Sequence, residues 1–108
     1  MAKNDLLHGS TGLLVMALLS REDMYGYQII KEMKARSEDR FALQEGSLYP
    51  VLHTLEAQKL VASYEGEASG ARKRRYYRLT EKGRRELAAR KADFLDFTSA
   101  ARRILEFG

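Results

Sequence analysis

After Thr80 the chain runs to Phe107 without a proline and, past Gly83, without a glycine, so one long helix is the simplest reading of its last quarter. Thr80 supplies an N-cap oxygen and Glu81 an acid for the first turn. At 1.5 Å per residue such a helix is roughly 40 Å long, more than the ~80 residues before it can comfortably cover. Leu87, Phe94 and Ala101 recur every seven residues, as do Phe97 and Ile104, and Leu95 and Leu105 widen the stripe. A seven-residue apolar repeat is the pattern of helices that pack on helices. The expected cover is a second copy of the chain, a homodimer through Leu87, Phe94, Leu95, Phe97, Ala101, Ile104 and Leu105. Folding back on its own core is the other arrangement, which the length disfavours. The chain thus divides into residues 1–79 and a dimerisation helix, residues 80–108, within one continuous structural unit.

Residues 1–79 carry the balance of a folded domain. Over the whole chain 44% of residues are hydrophobic and 31% charged, which excludes a disordered tail. There is no cysteine, which rules out disulfides, thiolate catalysis and cysteine-bound zinc and fits a reducing compartment. The apolar run Leu13 to Leu19 is far short of the ~20 residues of a membrane span, and MAKNDLLHGS lacks the features of a secretory signal, so a cytoplasmic protein without membrane contact is expected. Ser10 to Leu19 is apolar nearly all round and reads as a buried helix. Arg21 to Asp23 follow as an exposed turn, with Asp23 able to cap a second helix from Tyr25 to about Arg36, whose apolar face is Ile29, Ile30 and Met33. Ser37 to Arg40 form a polar loop, and Phe41 to Leu43 a short extended segment.

The third helix puts Leu48, Val51, Leu52 and Leu55 on one side and Tyr49, Pro50, His53, Thr54 and Ala57 on the other. An idle solvent face is normally laced with Lys and Glu, whereas a helix that enters a groove keeps small, aromatic and hydrogen-bonding residues there. Pro50 fits a start at Ser47 as N-cap, or a start near Gln44 that places it deeper. Val61 to Tyr64 and Arg75 to Leu79 read as strands separated by Gly66 and Gly70, a hairpin with a polar tip. In the second strand Tyr77 and Leu79 share one face, Tyr76 and Arg78 the other. Arg72 to Lys91 holds ten basic residues against Glu81 and Glu86, a concentration suited to a polyanion, although charge runs are more often plain solvated faces.

Three helices followed by a hairpin with a basic tip make a winged helix-turn-helix: mainly α with a small β-hairpin, plus the long C-terminal dimerisation helix. The segments LLHGSTGLLVMALLSREDMYGYQII, LQEGSLYPVLHTLEAQKLV and ARKRRYYRLTEKGRREL resemble the PadR family of bacterial transcriptional regulators across most of the first 87 residues. Tyr25-Gly26-Tyr27, Glu45 to Pro50, Leu55-Glu56 and Arg75 to Thr80 stand in that family's order and spacing, and a single long last helix is similar to its short subgroup. The resemblance implies a homodimer on an inverted-repeat operator in double-stranded DNA. It also implies a repressor, released in many members by a small aromatic or cationic effector. The chain departs at Asp23, where proline is frequent, at Thr54, where arginine is common, and at Lys59, where glycine often ends the helix. Lys59 is therefore expected in a left-handed or otherwise strained conformation. There is no tryptophan, the residue that stacks flat ligands in short members, and the matching position is Phe94. Phe94 is thus either an effector contact or ordinary interface core.

For the groove the residues expected are Ser47, Tyr49, His53 and Thr54, with Tyr49 equally suited to the core and His53 to plain solvation. For the wing they are Arg72, Lys73, Arg74 and Arg75, which add affinity more than specificity. Tyr25 and Tyr27 flank the phosphate backbone or serve packing. His8 and His53 lie on different elements without metal-ligand spacing, and no nucleophile elbow, phosphate loop or paired carboxylates appear. No enzyme, cofactor or metal is expected. The competing reading is a winged-helix module that binds a protein or RNA without an operator.

Overall fold

The computed structural model describes residues 9–67 and 73–108. Helix α1 (Thr11–Leu19) leads to a two-residue strand β1 (Met24–Tyr25), then α2 (Gly26–Arg36) and α3 (Glu45–Ala57). Strands β2 (Val61–Glu67) and β3 (Lys73–Leu79) follow, and α4 (Glu81–Leu105) closes the chain. The sheet is antiparallel in the order β1-β3-β2, so the hairpin gains a third strand from the segment before α2. Met24 opposes Tyr77 and Tyr25 opposes Tyr76.

One core joins these elements. Val15, Met16 and Leu19 of α1 meet Ile29 and Met33 of α2, Leu48, Leu52 and Leu55 of α3, and Val61, Tyr77 and Leu79 of the sheet. The periodicities explain the choice: α3 buries Leu48, Leu52 and Leu55 at helical spacing, and β3 buries alternate residues, Tyr77 and Leu79. Met24 buries its side chain here too, which pins β1 to the sheet edge.

Three local expectations are corrected. Asp23 does not cap α2: the N-cap is Tyr25, without a side-chain bond, because β1 intervenes, and Asp23 instead accepts a 2.6 Å hydrogen bond from the Tyr64 hydroxyl. Phe41 to Leu43 form no strand; Leu43 is buried as an irregular core residue. Gly66 does not end the strand but lies inside β2 opposite Arg74, where a side chain would overlap the Tyr76 ring. Both hairpin strands run farther than their apolar stretches. Of the two starts open for α3, the structure has the earlier one, Glu45 with Gln44 as N-cap, so Ser47 lies in the first turn and Pro50 inside the helix. Pro50 cannot donate to the Gly46 carbonyl, and Gly46 is exposed, which leaves that carbonyl to solvent.

Lys59 has φ 64°, as its position at the end of α3 predicts. The Lys59 N–H reaches the Glu56 carbonyl at 2.9 Å and the Leu60 N–H the Leu55 carbonyl at 2.9 Å, the paired bonds of a Schellman ending. A side chain in this region costs about 1 to 2 kcal/mol, part of which a glycine returns as unfolded-chain entropy. Lys59→Gly should therefore raise unfolding free energy by roughly 1 kcal/mol in urea melts at unchanged m-value.

Thr80 caps α4 as its sequence suggests: its hydroxyl accepts from the Gly83 N–H at 2.9 Å. Gly83, Leu87, Phe94, Phe97, Ala101, Ile104 and Leu105 fall within an arc of roughly 100°. The first two face the core, Gly83 buried and Leu87 partly so. The others continue the same face past the domain, with Phe97 69%, Ile104 70% and Leu105 82% exposed. Leu95, also exposed, stands roughly 80° beyond that arc.

Candidate nucleic-acid interface

The outer side of α3 is an exposed arc of roughly 120° formed by Gly46, Ser47, Pro50, His53, Thr54 and Ala57. No charged side chain lies within it; Glu56 stands roughly 60° and Glu45 roughly 80° beyond its edge. The Thr54 hydroxyl donates to the Pro50 carbonyl at 3.0 Å, which occupies its proton and leaves its lone pairs outward. Ser47 and His53 are exposed. Tyr49 is not part of the arc: it is half-buried, and its hydroxyl lies where a side chain on Gly26 would sit. A glycine at the start of α2 thus admits the Tyr49 ring and brings α3 close to α2.

The wing presents Lys73, Arg74, Arg75 and Arg78, all exposed. Arg72 lies outside the described residues. Lys73 meets Glu65 at 3.7 Å, both largely in water, where such a pair contributes little. The Arg74 guanidinium lies 4.3 Å from the centroid of the Tyr25 ring, a cation–π contact that orients it. Arg75 donates to the Ser63 hydroxyl at 2.8 Å, and Ser63 donates to Glu56 at 2.6 Å, which ties the last turn of α3 to both wing strands.

Tyr25 therefore serves the wing from β1. Tyr64, Tyr76 and Tyr25 stand opposite one another across the three strands, with Tyr64 stacked on Tyr76 at 5.8 Å and Tyr25 edge-on to Tyr76 at 5.5 Å. The hydrogen bond to the Asp23 carboxylate pushes the Tyr64 phenol above the ordinary tyrosine value, and burial does the same for Tyr77. Tyr27 is 58% exposed at the start of α2, with the Lys31 ammonium 5.6 Å from its ring centroid.

Part of the basic run does structural work. Lys82 donates to the Gln58 carbonyl at the end of α3 at 3.1 Å, and Arg84 reaches the Ser20 carbonyl at the end of α1 at 3.4 Å. Cations at helix C-termini are favourable there. Arg90 pairs with Glu86 at 2.6 Å within α4. What remains available to a polyanion is mainly the wing. Sequence reasoning missed Glu56, Ser63 and Tyr64 and gave Asp23 a different role, because their partners are fixed by strand register and not by any local motif.

Among the described residues no group of acids and histidines could hold a metal ion, and no helix is long and apolar enough to cross a membrane. The sequence model of the family described as "Transcriptional regulator PadR-like family" matches residues 15–89. The chain is 33% identical over 88 residues to an uncharacterized protein X of Lysinibacillus sphaericus, covering 82% of this chain and 81% of that one. It is 34% identical over 76 residues to the transcriptional regulator YqjI of Escherichia coli, covering 70% of this chain but only 35% of YqjI. Among solved structures, a PadR family transcriptional regulator from Eggerthella lenta superposes with a TM-score of 0.83 at 31% identity, covering 96% of this chain and 88% of that one.

Proposed function

The chain belongs to the PadR-like family of transcriptional regulators and is a DNA-binding regulator, and we propose that it acts as a homodimer on an inverted-repeat operator, with α3 in the major groove and the wing on the flanking backbone. The observation that carries this reading is the uncharged arc of α3, joined through Glu56 and Ser63 to a wing edge rich in Lys and Arg. Ser47, His53 and Thr54 offer hydroxyl and imidazole groups to base edges or nearby phosphates. Lys73 and Arg74 meet phosphates, with Tyr25 orienting Arg74. The exposed stripe of α4 supplies the dimer interface, which sets the spacing of the two α3 helices at about one turn of DNA. In this reading the bound dimer represses by occupying DNA that transcription requires. An effector seated beside Phe94, which is 40% exposed, would release DNA only by favouring a dimer that spaces α3 wrongly.

Salt dependence tests the wing. Each phosphate contact contributes about −0.9 to the slope of log affinity against log salt. Replacing Lys73 and Arg74 with alanine should flatten the slope by up to about 1.8 per subunit and weaken operator and random duplex alike. Anisotropy titrations at several salt concentrations measure it, and an unchanged slope would remove the wing from the interface.

A further inference from the structure

We propose that Glu56 is a specificity-determining residue that holds Arg75 off the DNA backbone; the inference rests on the DNA-binding geometry proposed above. The hydroxyl of Ser63 has one proton, given to Glu56 at 2.6 Å, so its lone pairs accept from Arg75 at 2.8 Å. The chain of donors runs one way, from a cation through a hydroxyl to a carboxylate, and charge at both ends strengthens each bond. Glu56 is half-buried and Ser63 likewise, whereas the Lys73–Glu65 pair on the same wing stands in open water at 3.7 Å. Arg75 is thus the wing arginine with a built intramolecular partner of opposite charge.

Glu56 withholds Arg75 from phosphates, which carry no sequence information, so the wing keeps less of the indiscriminate affinity that an unrestrained arginine would add. Removing the carboxylate should release the guanidinium to DNA. The protein would then bind more tightly and discriminate less.

The test is the salt dependence of binding to a random-sequence DNA duplex by the full chain, for wild type, Glu56→Gln, Arg75→Ala and the double variant. Glu56→Gln should steepen the slope by about 0.9 per subunit, raising affinity roughly tenfold per subunit near 0.1 M salt. Arg75→Ala should leave the wild-type slope unchanged, and in its background Glu56→Gln should bring no steepening. Ser63→Ala, which cuts the chain without altering charge, should steepen the slope in the same direction as Glu56→Gln. Two outcomes overturn the proposal while leaving DNA binding intact: a flatter slope for Arg75→Ala alone, or the same gain from Glu56→Gln with and without Arg75. Wild type that fails to bind duplex at low salt overturns the DNA-binding geometry and this proposal together.

Discussion

Phe97→Asp should convert the protein to a folded monomer that no longer holds its operator. Phe97 is 69% exposed on α4, in line with Phe94, Ala101, Ile104 and Leu105 and past the last turn that meets the core. Aspartate there disturbs nothing within the domain, so the monomer keeps its fold. In a dimer that buries this stripe, the same carboxylate is desolvated without a partner, at a cost of several kcal/mol. Operator affinity falls with it, because a monomer presents one α3 where an inverted repeat needs two at fixed separation. Leu95 stands outside the stripe, so Leu95→Asp should weaken the dimer much less. Sedimentation velocity of both variants checks the contrast; a Phe97→Asp protein that remains dimeric would move the interface elsewhere on the molecule.

Gly83→Ala should destabilise the domain strongly for the addition of a single methyl group, by about 3 kcal/mol, with a fall in Tm of at least ~10 °C. Gly83 is buried in the first turn of α4, and a methyl built on it would overlap the Leu60 carbonyl oxygen and sit 2.6 Å from the Leu79 Cδ1. The Leu79 methyl can turn away. The Leu60 carbonyl cannot, since it accepts the Thr80 N–H at 3.0 Å and lies 3.0 Å from the Thr80 hydroxyl, which also accepts from Gly83. The strain therefore falls on the junction of α3, β2 and α4 at once. Gly46 gives the control: nothing lies within 4 Å of a methyl built there, so Gly46→Ala should stabilise α3 by up to about 1 kcal/mol. Thermal melts of the two variants should move in opposite directions.

Features that depend on periodicity or on a single backbone position were legible in the sequence. The four helices, the alternation of Tyr76 and Tyr77 and the cap at Thr80 follow from short-range rules, and the strained backbone of Lys59 from the family resemblance. Strand β1 did not, because two residues carry no period, and Asp23 before them mimics a helix cap while its carboxylate serves Tyr64 across the sheet. Gly66 read as a turn because its role, making room for the Tyr76 ring, exists only once the strand register is known. The candidate site divides the same way. The uncharged face of α3 and the cations of the wing stand in the sequence, whereas the link from Glu56 through Ser63 to Arg75 joins three elements by long-range pairing. Tyr49 shows the limit of wheel arguments: its angle places it between core and solvent, and the absence of a side chain at Gly26 draws it inward.

Whether α3 reads bases is measured most directly by selecting bound fragments from a random-sequence duplex pool with wild type and with a variant carrying His53→Ala and Thr54→Ala. Wild type should select an inverted repeat with half-sites about one helical turn apart. Both substituted residues are exposed on the uncharged arc, so the variant should stay folded and dimeric and keep its salt slope. It should lose preference at the same positions in each half-site, by about 1 to 3 kcal/mol of discrimination for each base edge no longer read. Selection of the same repeat with equal stringency by both proteins would contradict a groove-reading role for α3.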